Sequence, residues 1–401
     1  MTRRKIAIVG AGPVGLEAAL AAIERGAEVE IFERGATADA VGQWGHVRMF
    51  SPFGMNATPR GLERLGRAGV ELPEANALLT GSEFRERYLL PLASTLSPGI
   101  LHERCAVAAI GRTRVLKGDH IGDPARGGSA FRLLVADQAG ERIVHADVVL
   151  DCSGTYGQPN GLGDGGIPAP GERAAADHIT YGIPRVEVSE NSRHARRFLV
   201  VGAGHSAATA VTNLARRGGV EIHWLLRRDR ALPAEEIPDD ALPERARLAS
   251  AANRLVTENR VTLHRGGSIE AIENLADGVR VQLADASGFH ALEVDEIIVA
   301  TGFRPDLALA RELQIQTCWA TEGTYPLAAS MLGEAGADCL KTPAFGAEML
   351  MHPEPGYFTL GMKSYGRAPN FLLRTGYEQI ETVFGWLAAE ERGMSANRTA
   401  A

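Results

Sequence analysis

Three glycines near the start of the chain constrain its fold more than any other feature. A short apolar run, typical of a strand, ends in Gly10-x-Gly12-x-x-Gly15, and a helix-forming run of alanine and leucine follows. Such glycines allow a tight turn, close approach of the backbone to a pyrophosphate, and close packing of helix on sheet. A second apolar run ends in Glu33, where an acid can accept hydrogen bonds from ribose hydroxyls. The stretch therefore predicts a dinucleotide-binding unit.

The same pattern returns in the second half of the chain. Gly202-x-Gly204-x-x-Ala207 again follows an apolar run and precedes a helix-like segment. The next strand-like run ends in Arg227 and Arg228, with no acid where the first copy has one. Guanidinium groups pair bidentately with phosphate, whereas a carboxylate would repel a 2′-phosphate. We therefore expect this second site to prefer NADP over NAD; the alternative is an exposed basic turn.

Length and charge restrict the class of protein. A chain of 401 residues can form two domains, and 45% hydrophobic with 23% charged residues is ordinary globular composition. The net charge is −7 and no basic cluster suggests a nucleic-acid or membrane surface. Glycines interrupt the first apolar run, so it predicts a strand and not a signal peptide. We expect a cytoplasmic protein with no nucleic-acid or membrane partner.

The cysteines exclude one kind of chemistry. Cys105, Cys152, Cys318 and Cys339 are far apart, and the sequence holds no CxxC or CxxxxC pair. Enzymes that pass electrons to a disulfide need two thiols close together. The sequence therefore predicts that no redox disulfide operates here, and that each cysteine is a small buried hydrophobe.

Hydrophobic periodicity predicts further secondary-structure elements. The elements are a helix over 82–96, a strand–turn–strand hairpin over 131–150 and a helix over 375–391.

One loop combines glycines with an aromatic ring: it contains Gln43 and Trp44 between glycines and directly follows the ribose-binding strand. It would suit the edge of an extended aromatic cofactor; the alternative is a surface loop with a buried tryptophan.

The order of these motifs resembles the two-dinucleotide-binding-domain flavoproteins. This superfamily includes thioredoxin reductase, flavin-containing monooxygenases and N-hydroxylating monooxygenases, and the resemblance covers nearly the whole chain. It implies an α/β fold with two Rossmann-like, three-layer dinucleotide-binding domains, the NADPH domain being inserted in the FAD domain. The implied boundaries are 1–160 and 299–401 for the two parts of the FAD domain, and 161–298 for the NADPH domain.

The resemblance also implies the cofactors, FAD at the first fingerprint and NADPH at the second. The cofactor-binding residues that it implies are Gly10, Gly12, Pro13, Gly15, Glu33, Arg34, Gln43, Trp44, Gly202, Gly204, His205, Ser206, Arg227, Arg228, Thr301, Gly302, Gly361 and Met362. The polar side chains expected nearest the flavin, as candidates for catalysis, are His46, Arg48, Asn56 and Lys363. For each of these four, the alternative is a hydrogen bond that holds its own loop. No residue pattern suggests a metal site.

The function implied by the resemblance is that of an NADPH-dependent monooxygenase. Such an enzyme oxygenates a nitrogen, sulfur or carbonyl centre of a small molecule with O₂, through a C4a-hydroperoxyflavin. The sequence holds no serine–histidine–acid or paired-carboxylate pattern, as expected where a cofactor carries the chemistry. The alternatives are a reductase that passes electrons to a protein, quinone or small acceptor, and a nucleotide-binding protein without catalysis. A homodimer is the commonest closed arrangement for such a chain.

Overall fold

The computed structural model describes residues 3–185, 196–285, 288–332 and 346–399, so Cys339 lies outside the described residues. The chain forms two compact units. The first comprises Met1–Gln158 with Arg304–Ala401, and the second comprises Pro159–Phe303. Among the described residues, no helix is both long and apolar enough to cross a membrane.

A parallel sheet forms the centre of the first unit. Its strands are β1 (Lys5–Val9), β2 (Glu28–Phe32), β3 (Leu101–His102), β7 (Val148–Asp151) and β16 (Tyr357–Thr359). Their order across the sheet is β16-β7-β1-β2-β3. Val9 pairs with Phe32 on one side and with Asp151 on the other, so three strands end at the same edge. In open parallel sheets this carboxyl edge is where ligands bind.

Helices surround this sheet. They are α1 (Pro13–Glu24), α2 (Asp39–Gln43), α3 (Phe53–Asn56), α4 (Pro59–Arg67), α5 (Gly81–Phe84), α6 (Leu90–Ser94), α9 (Tyr325–Leu332), α10 (Met362–Tyr365) and α11 (Leu373–Thr399). The long helix α11 packs against α1, and Ile380, Val383 and Phe384 on its buried face join the core. The sequence prediction of a helix over 375–391 is therefore confirmed.

The helix expected over 82–96 is interrupted in the structure. A π-helical segment, Arg85–Leu89, lies between α5 and α6. Pro91, in the first turn of α6, has no N–H to donate to the preceding turn. A proline within a helical run removes such a bond, and a π turn is one way in which the backbone accommodates the change.

A three-stranded antiparallel sheet completes the first unit. It contains β4 (Ala106–Arg112), β5 (Phe131–Asp137) and β6 (Gly140–Ala146). The last two strands form the hairpin predicted over 131–150. Phe131, Leu133 and Val135 are buried against the core that also contains Val149 of the parallel sheet.

The second unit has the same arrangement. Its parallel sheet contains β8 (Ile179–Tyr181), β9 (Arg197–Val201), β10 (Glu221–Leu226), β11 (Thr262–Arg265) and β15 (Glu296–Val299), in the order β11-β10-β9-β15-β8. The antiparallel sheet contains β12 (Ser268–Leu275), β13 (Gly278–Asp285) and β14 (Gly288–Val294), and the helices are α7 (His205–Arg217) and α8 (Pro243–Thr257). Two Rossmann-like α/β units, one inserted in the other, confirm the predicted fold class.

One buried histidine makes the stability of the first unit depend on pH. His352 is buried, with Nε2 3.0 Å from the hydroxyl of Thr359 in β16. Burial lowers its pKa from 6.5 to about 4, so the unfolded chain binds a proton there more readily than the folded one. We expect the free energy of unfolding to fall by up to about 3 kcal/mol as the pH drops from about 6.5 towards 4.

Urea unfolding of the wild type and of His352→Gln across this pH range measures the effect. The variant should lose much of the pH dependence above pH 5, where the titration of ordinary carboxylates contributes little. An unchanged slope in the variant would contradict the assignment to His352.

Candidate functional site

The first glycine loop joins β1 to α1 at the carboxyl edge of the first sheet. Gly10 has φ +98°, and a Cβ on it would lie 2.8 Å from the carbonyl oxygen of Cys152. A Cβ on Gly15 would lie 1.9 Å from the carbonyl oxygen of Gly10. A Cβ on Gly12 would meet nothing within 4 Å. Packing therefore requires glycine at 10 and 15, whereas position 12 faces open space.

That open space lies at the N-terminus of α1. Gly12 is the residue that caps this helix and Pro13 is its first residue. No side chain caps the first turn, so backbone N–H groups there remain available to a ligand. Free N–H groups and the helix dipole favour a phosphate at such a position. The residues present therefore fit the pyrophosphate of a dinucleotide.

The acid expected at the ribose lies beside the same loop. Glu33 directly follows β2, and its two carboxylate oxygens accept hydrogen bonds from the backbone N–H groups of Ala11 and Gly35, each at 2.8 Å. Two donors thus hold the carboxylate at the carboxyl edge. The next residue, Arg34, lies against Gly157, where a Cβ would be 3.0 Å from a guanidinium nitrogen.

A buried polar cluster lies at the ends of β7 and β16. The Lys363 ammonium is 2.6 Å from Asp151 Oδ2, and it also donates to the hydroxyl of Ser153 at 2.9 Å. The Tyr357 hydroxyl donates to Asp151 Oδ2 at 2.7 Å, and Ser153 Oγ donates to Asp151 Oδ1 at 2.6 Å. Both charged side chains are almost completely buried. The cluster therefore exists as an ion pair shielded from water.

Electrostatics keep this cluster charged. Burial alone would raise the pKa of Asp151, but the Lys363 ammonium and the hydrogen bonds from Ser153 and Tyr357 outweigh it. The resulting pKa of Asp151 is below its ordinary value. The carboxylate is thus ionised at neutral pH, and it fixes the position of the lysine expected near the flavin.

The glycine turn before Lys363 adjoins the first helix. Gly361 has φ +69°, and a Cβ on it would lie 3.2 Å from the side chain of Val14. Its N–H donates to the Gln379 side chain of α11 at 2.7 Å, and Met362 begins α10. The carboxyl edge of this unit thus brings together the first glycine loop, the glycine turn and Lys363.

The loop with Gln43 and Trp44 packs within the same unit. The Gln43 amide donates to Asp39 at 3.3 Å, and the half-buried indole of Trp44 covers Gly81, where a Cβ would lie 2.6 Å from the ring. The segment before this loop is bonded to the first glycine loop, because the N–H of Ala38 donates to the carbonyl oxygen of Ala11 at 3.0 Å.

The other polar side chains expected near the flavin have contacts of their own. Arg48 donates to the carbonyl oxygen of Leu78. Asn56 is buried, and its amide donates to the carbonyl oxygens of Ser51 and Pro52 at 3.0 and 3.1 Å. These two side chains therefore hold loops together in this structure. His46, which lies between Trp44 and Arg48 in the sequence, is half-buried.

Four residues of the first unit were not predicted from the sequence. Asp151, Ser153 and Tyr357 surround Lys363, and Gln379 holds the backbone of the glycine turn. The available signal was the position of Asp151 as the last residue of an otherwise apolar strand that ends at the ligand-binding edge.

The second glycine loop repeats the geometry of the first. Gly202 has φ +132°, and a Cβ on it would lie 2.3 Å from the carbonyl oxygen of Ala300. A Cβ on Gly204 would meet nothing within 4 Å, and α7 begins at the next residue. His205 and Ser206 are exposed in the first turn of α7. This loop also fits a pyrophosphate.

Two arginines follow the strand beside this loop. Leu225 of β10 accepts a hydrogen bond from the N–H of Gly202 at 3.1 Å, and Arg227 and Arg228 are exposed two and three residues further on. Both guanidinium groups thus follow the strand whose end is hydrogen-bonded to this loop.

Thr301 and Gly302 follow β15 in the second unit. The Thr301 hydroxyl donates to the carbonyl oxygen of Asn160 at 3.1 Å, and the N–H of Asn160 donates to the carbonyl oxygen of Gly302 at 3.0 Å. These bonds join the two chain segments that enter and leave this unit.

The described cysteines form no disulfide. Cys105, Cys152 and Cys318 are all free thiols. Burial, with the Asp151 charge, raises the pKa of the Cys152 thiol far above its usual value. Cys152 lies beside the first glycine loop, but as a neutral thiol it is a poor nucleophile.

Comparisons with known proteins find similar sequences and similar folds. The chain is 32% identical over 119 residues to the nitric oxide reductase FlRd-NAD(+) reductase of Salmonella gallinarum, a match that covers 30% of this chain and only 28% of that protein. The fold of the present chain is similar to that of bacillithiol disulfide reductase from Bacillus cereus. The TM-score is 0.70 and the identity 16%, and the match covers 97% of this chain and 100% of that one.

A second type of enzyme shares the fold. Ornithine N-hydroxylase from Kutzneria sp. 744, in a complex with reduced FAD, NADP⁺ and L-ornithine, superimposes with a TM-score of 0.63 and 17% identity, covering 98% of this chain and 100% of that one. Reductases and hydroxylases thus both use this architecture. Residues 114–323, just over half of the chain, match the pyridine nucleotide-disulphide oxidoreductase family. The chain therefore belongs to the pyridine nucleotide-disulphide oxidoreductase family, whose flavoproteins use FAD and NAD(P)H.

Proposed function

We propose that this oxidoreductase is an NADPH-dependent FAD-containing monooxygenase that inserts one atom of O₂ into a nitrogen, sulfur or carbonyl centre of a small molecule. The observation that carries the proposal is that the sequence holds no closely spaced pair of cysteines of the kind that forms a redox disulfide. The sequence contains no CxxC or CxxxxC pair, and the thiol beside the first glycine loop, Cys152, is free and has a raised pKa. Electrons from NADPH would therefore pass from the flavin to the final acceptor without an intermediate protein disulfide.

The residues of the chain bind and orient, while the cofactor supplies the redox chemistry. When bound, FAD accepts a hydride from NADPH and can deliver electrons to oxygen. The free N–H groups at the N-terminus of α1 would hold its pyrophosphate, and the Glu33 carboxylate would accept hydrogen bonds from its ribose. The Lys363 ammonium, held by Asp151, places a fixed positive charge at the same edge of the sheet. Such a charge stabilises a ring that gains negative charge on reduction.

The loop Gly42-Gln43-Trp44 favours oxygenation over simple reduction. Gln43 and Trp44 match the loop that lies along the flavin in the monooxygenase branch, and the likeness to an ornithine N-hydroxylase is consistent with this assignment. The alternative is an NADPH-dependent reductase that passes electrons to a protein, quinone or small acceptor. The relative named as an NAD(+) reductase and the likeness to a disulfide reductase support that alternative.

One experiment separates the two functions. The FAD-loaded enzyme is mixed with NADPH and isotopically labelled O₂, with and without panels of amines, sulfides and ketones, while NADPH, hydrogen peroxide and products are measured. A monooxygenase transfers labelled oxygen to one substrate class and then releases less peroxide. A reductase gives unlabelled products and rapid electron transfer to an added quinone or ferredoxin; that result would replace the proposal with the alternative.

The nucleotide preference yields a separate prediction. Replacing both Arg227 and Arg228 with alanine should raise the KM for NADPH by more than about tenfold and that for NADH little, because charge-assisted bonds to the 2′-phosphate are lost. Steady-state kinetics with both nucleotides measures the effect. Arg247→Ala removes another exposed arginine of the same unit and should change neither KM. Equal losses with both nucleotides would contradict the 2′-phosphate assignment.

A further inference from the structure

Three potential metal ligands lie close together in the second unit, although no sequence motif predicts them. His264, Asp285 and His290 each offer one ligand atom, and these atoms all lie within 4.8 Å of one another. His290 Nε2 is 3.8 Å from Asp285 Oδ2. All three side chains are half-buried. The cluster therefore combines two imidazoles and a carboxylate, with one side open to solvent.

Three different strands fix these positions. His264 belongs to β11, the edge strand of the parallel sheet, and pairs with Leu225 of β10. Asp285 is the last residue of β13, and His290 lies on β14 opposite Leu283. Sites on strands hold their ligands more accurately than sites on free loops. An ion bound here would join the edge strand to the β13–β14 hairpin.

A chain of hydrogen bonds orients the first histidine. His223 Nε2 is 2.9 Å from a carboxylate oxygen of Glu221, and His223 Nδ1 is 3.0 Å from His264 Nε2. The carboxylate can only accept, so neutral His223 donates from Nε2, and its Nδ1 accepts a hydrogen bond from the Nε2–H of His264. His264 Nδ1 therefore keeps its lone pair. A hydrogen-bond partner on the second nitrogen is what metal-ligating histidines in proteins almost always have.

We propose that His264, Asp285 and His290 bind one divalent transition-metal ion, with Zn²⁺ as the expected occupant, and that His223 positions His264. Imidazole suits Zn²⁺ and its neighbours in the first transition series, whereas Mg²⁺ and Ca²⁺ prefer oxygen ligands only. In a tetrahedral zinc site with bonds of about 2.0–2.1 Å, ligand atoms lie roughly 3.3 Å apart. The observed spacing needs only small side-chain movements, and water can occupy the fourth position.

Zinc titration of the full-length, FAD-loaded, tag-free protein tests the site. After treatment with a chelator, Zn²⁺ is added in competition with a chromophoric chelator, and bound metal is also counted by elemental analysis after gel filtration. We expect one ion per chain and a rise in melting temperature on binding. Asp285→Asn and His290→Ala should each weaken binding by at least about tenfold.

Two further variants separate ligation from general damage. His223→Gln should weaken binding by roughly tenfold without changing the stoichiometry, as expected of a positioning residue. His120→Gln removes an exposed histidine of the first unit that lies 3.8 Å from Asp123, and it should leave the zinc affinity unchanged. FAD retention and the far-UV circular dichroism spectrum report that each variant is folded. The proposal is wrong if the wild type retains no zinc, or if folded His290→Ala binds it as tightly as the wild type.

Discussion

Gly12→Ala is expected to weaken FAD binding by roughly 100-fold while the protein still folds. Its backbone angles, φ −77° and ψ −175°, suit alanine, and a Cβ there meets nothing within 4 Å. The added methyl group would occupy the space where the pyrophosphate approaches the first turn of α1. Loss of one or two charge-assisted hydrogen bonds costs about 3 kcal/mol, so FAD affinity should fall by roughly 100-fold.

Flavin content after gel filtration and fluorescence titration of the stripped protein with FAD measure this loss. Gly204→Ala is the matched control, because its Cβ also meets nothing within 4 Å. It should keep FAD and lose NADPH affinity instead. Gly15→Ala should prevent normal folding, since its Cβ would lie 1.9 Å from a backbone oxygen. If Gly12→Ala retained FAD normally, the first glycine loop would not be the pyrophosphate site.

Lys363→Met should destabilise the protein by about 3–5 kcal/mol, because it leaves the Asp151 carboxylate buried without its counter-ion. The two side chains are 2% and 0% exposed, so water cannot replace the lost ammonium. Chemical unfolding of the FAD-free protein measures this cost apart from any effect on cofactor binding. A stability of 5–15 kcal/mol is usual for a domain, so the expected loss is a large fraction of the total.

The exposed ion pair between Arg367 and Glu322 in the same unit provides the control. Its side chains are 35% and 27% exposed, and Arg367→Met should cost less than about 1 kcal/mol. Combining Lys363→Met with Asp151→Asn should recover part of the stability, because a neutral amide is less costly to bury than a carboxylate. If Lys363→Met and Arg367→Met reduced the free energy of unfolding equally, the loss of Lys363 would not leave a costly uncompensated charge on Asp151.

Local patterns in the sequence were sufficient for the fold class and for both glycine loops. The glycine spacing is visible in a few consecutive residues, and a Cβ on Gly15 would collide with Gly10 of the same strand–turn–helix unit. The contacts that require glycine at 10 and 202 are instead with the backbone of Cys152 and Ala300, which follow neighbouring strands. The β5–β6 hairpin was likewise predicted from two apolar runs and the turn between them. The order of these motifs carried the resemblance to a flavoprotein family, and that resemblance implied the two cofactors.

Other features were decided by tertiary contacts. The expectation that Asn56 and Arg48 lie near the flavin stays a prediction, and the structure adds that their side chains donate to backbone carbonyl groups of loops. The sequence shows the residue type at a position but not the direction of its side chain. Interruption of the helix over 82–96 likewise depended on how the backbone accommodated Pro91.

The sequence by itself determined two dinucleotide-binding units, their order, and the chemistry available at each glycine loop. Only the tertiary structure decided that Lys363 meets Asp151, 212 residues away, and that His264 and His290 come together with Asp285. The physical reason is the range of the interactions. Turn and strand preferences act between near neighbours, whereas ion pairs and ligand clusters arise where packing brings distant strand ends to one edge of a sheet.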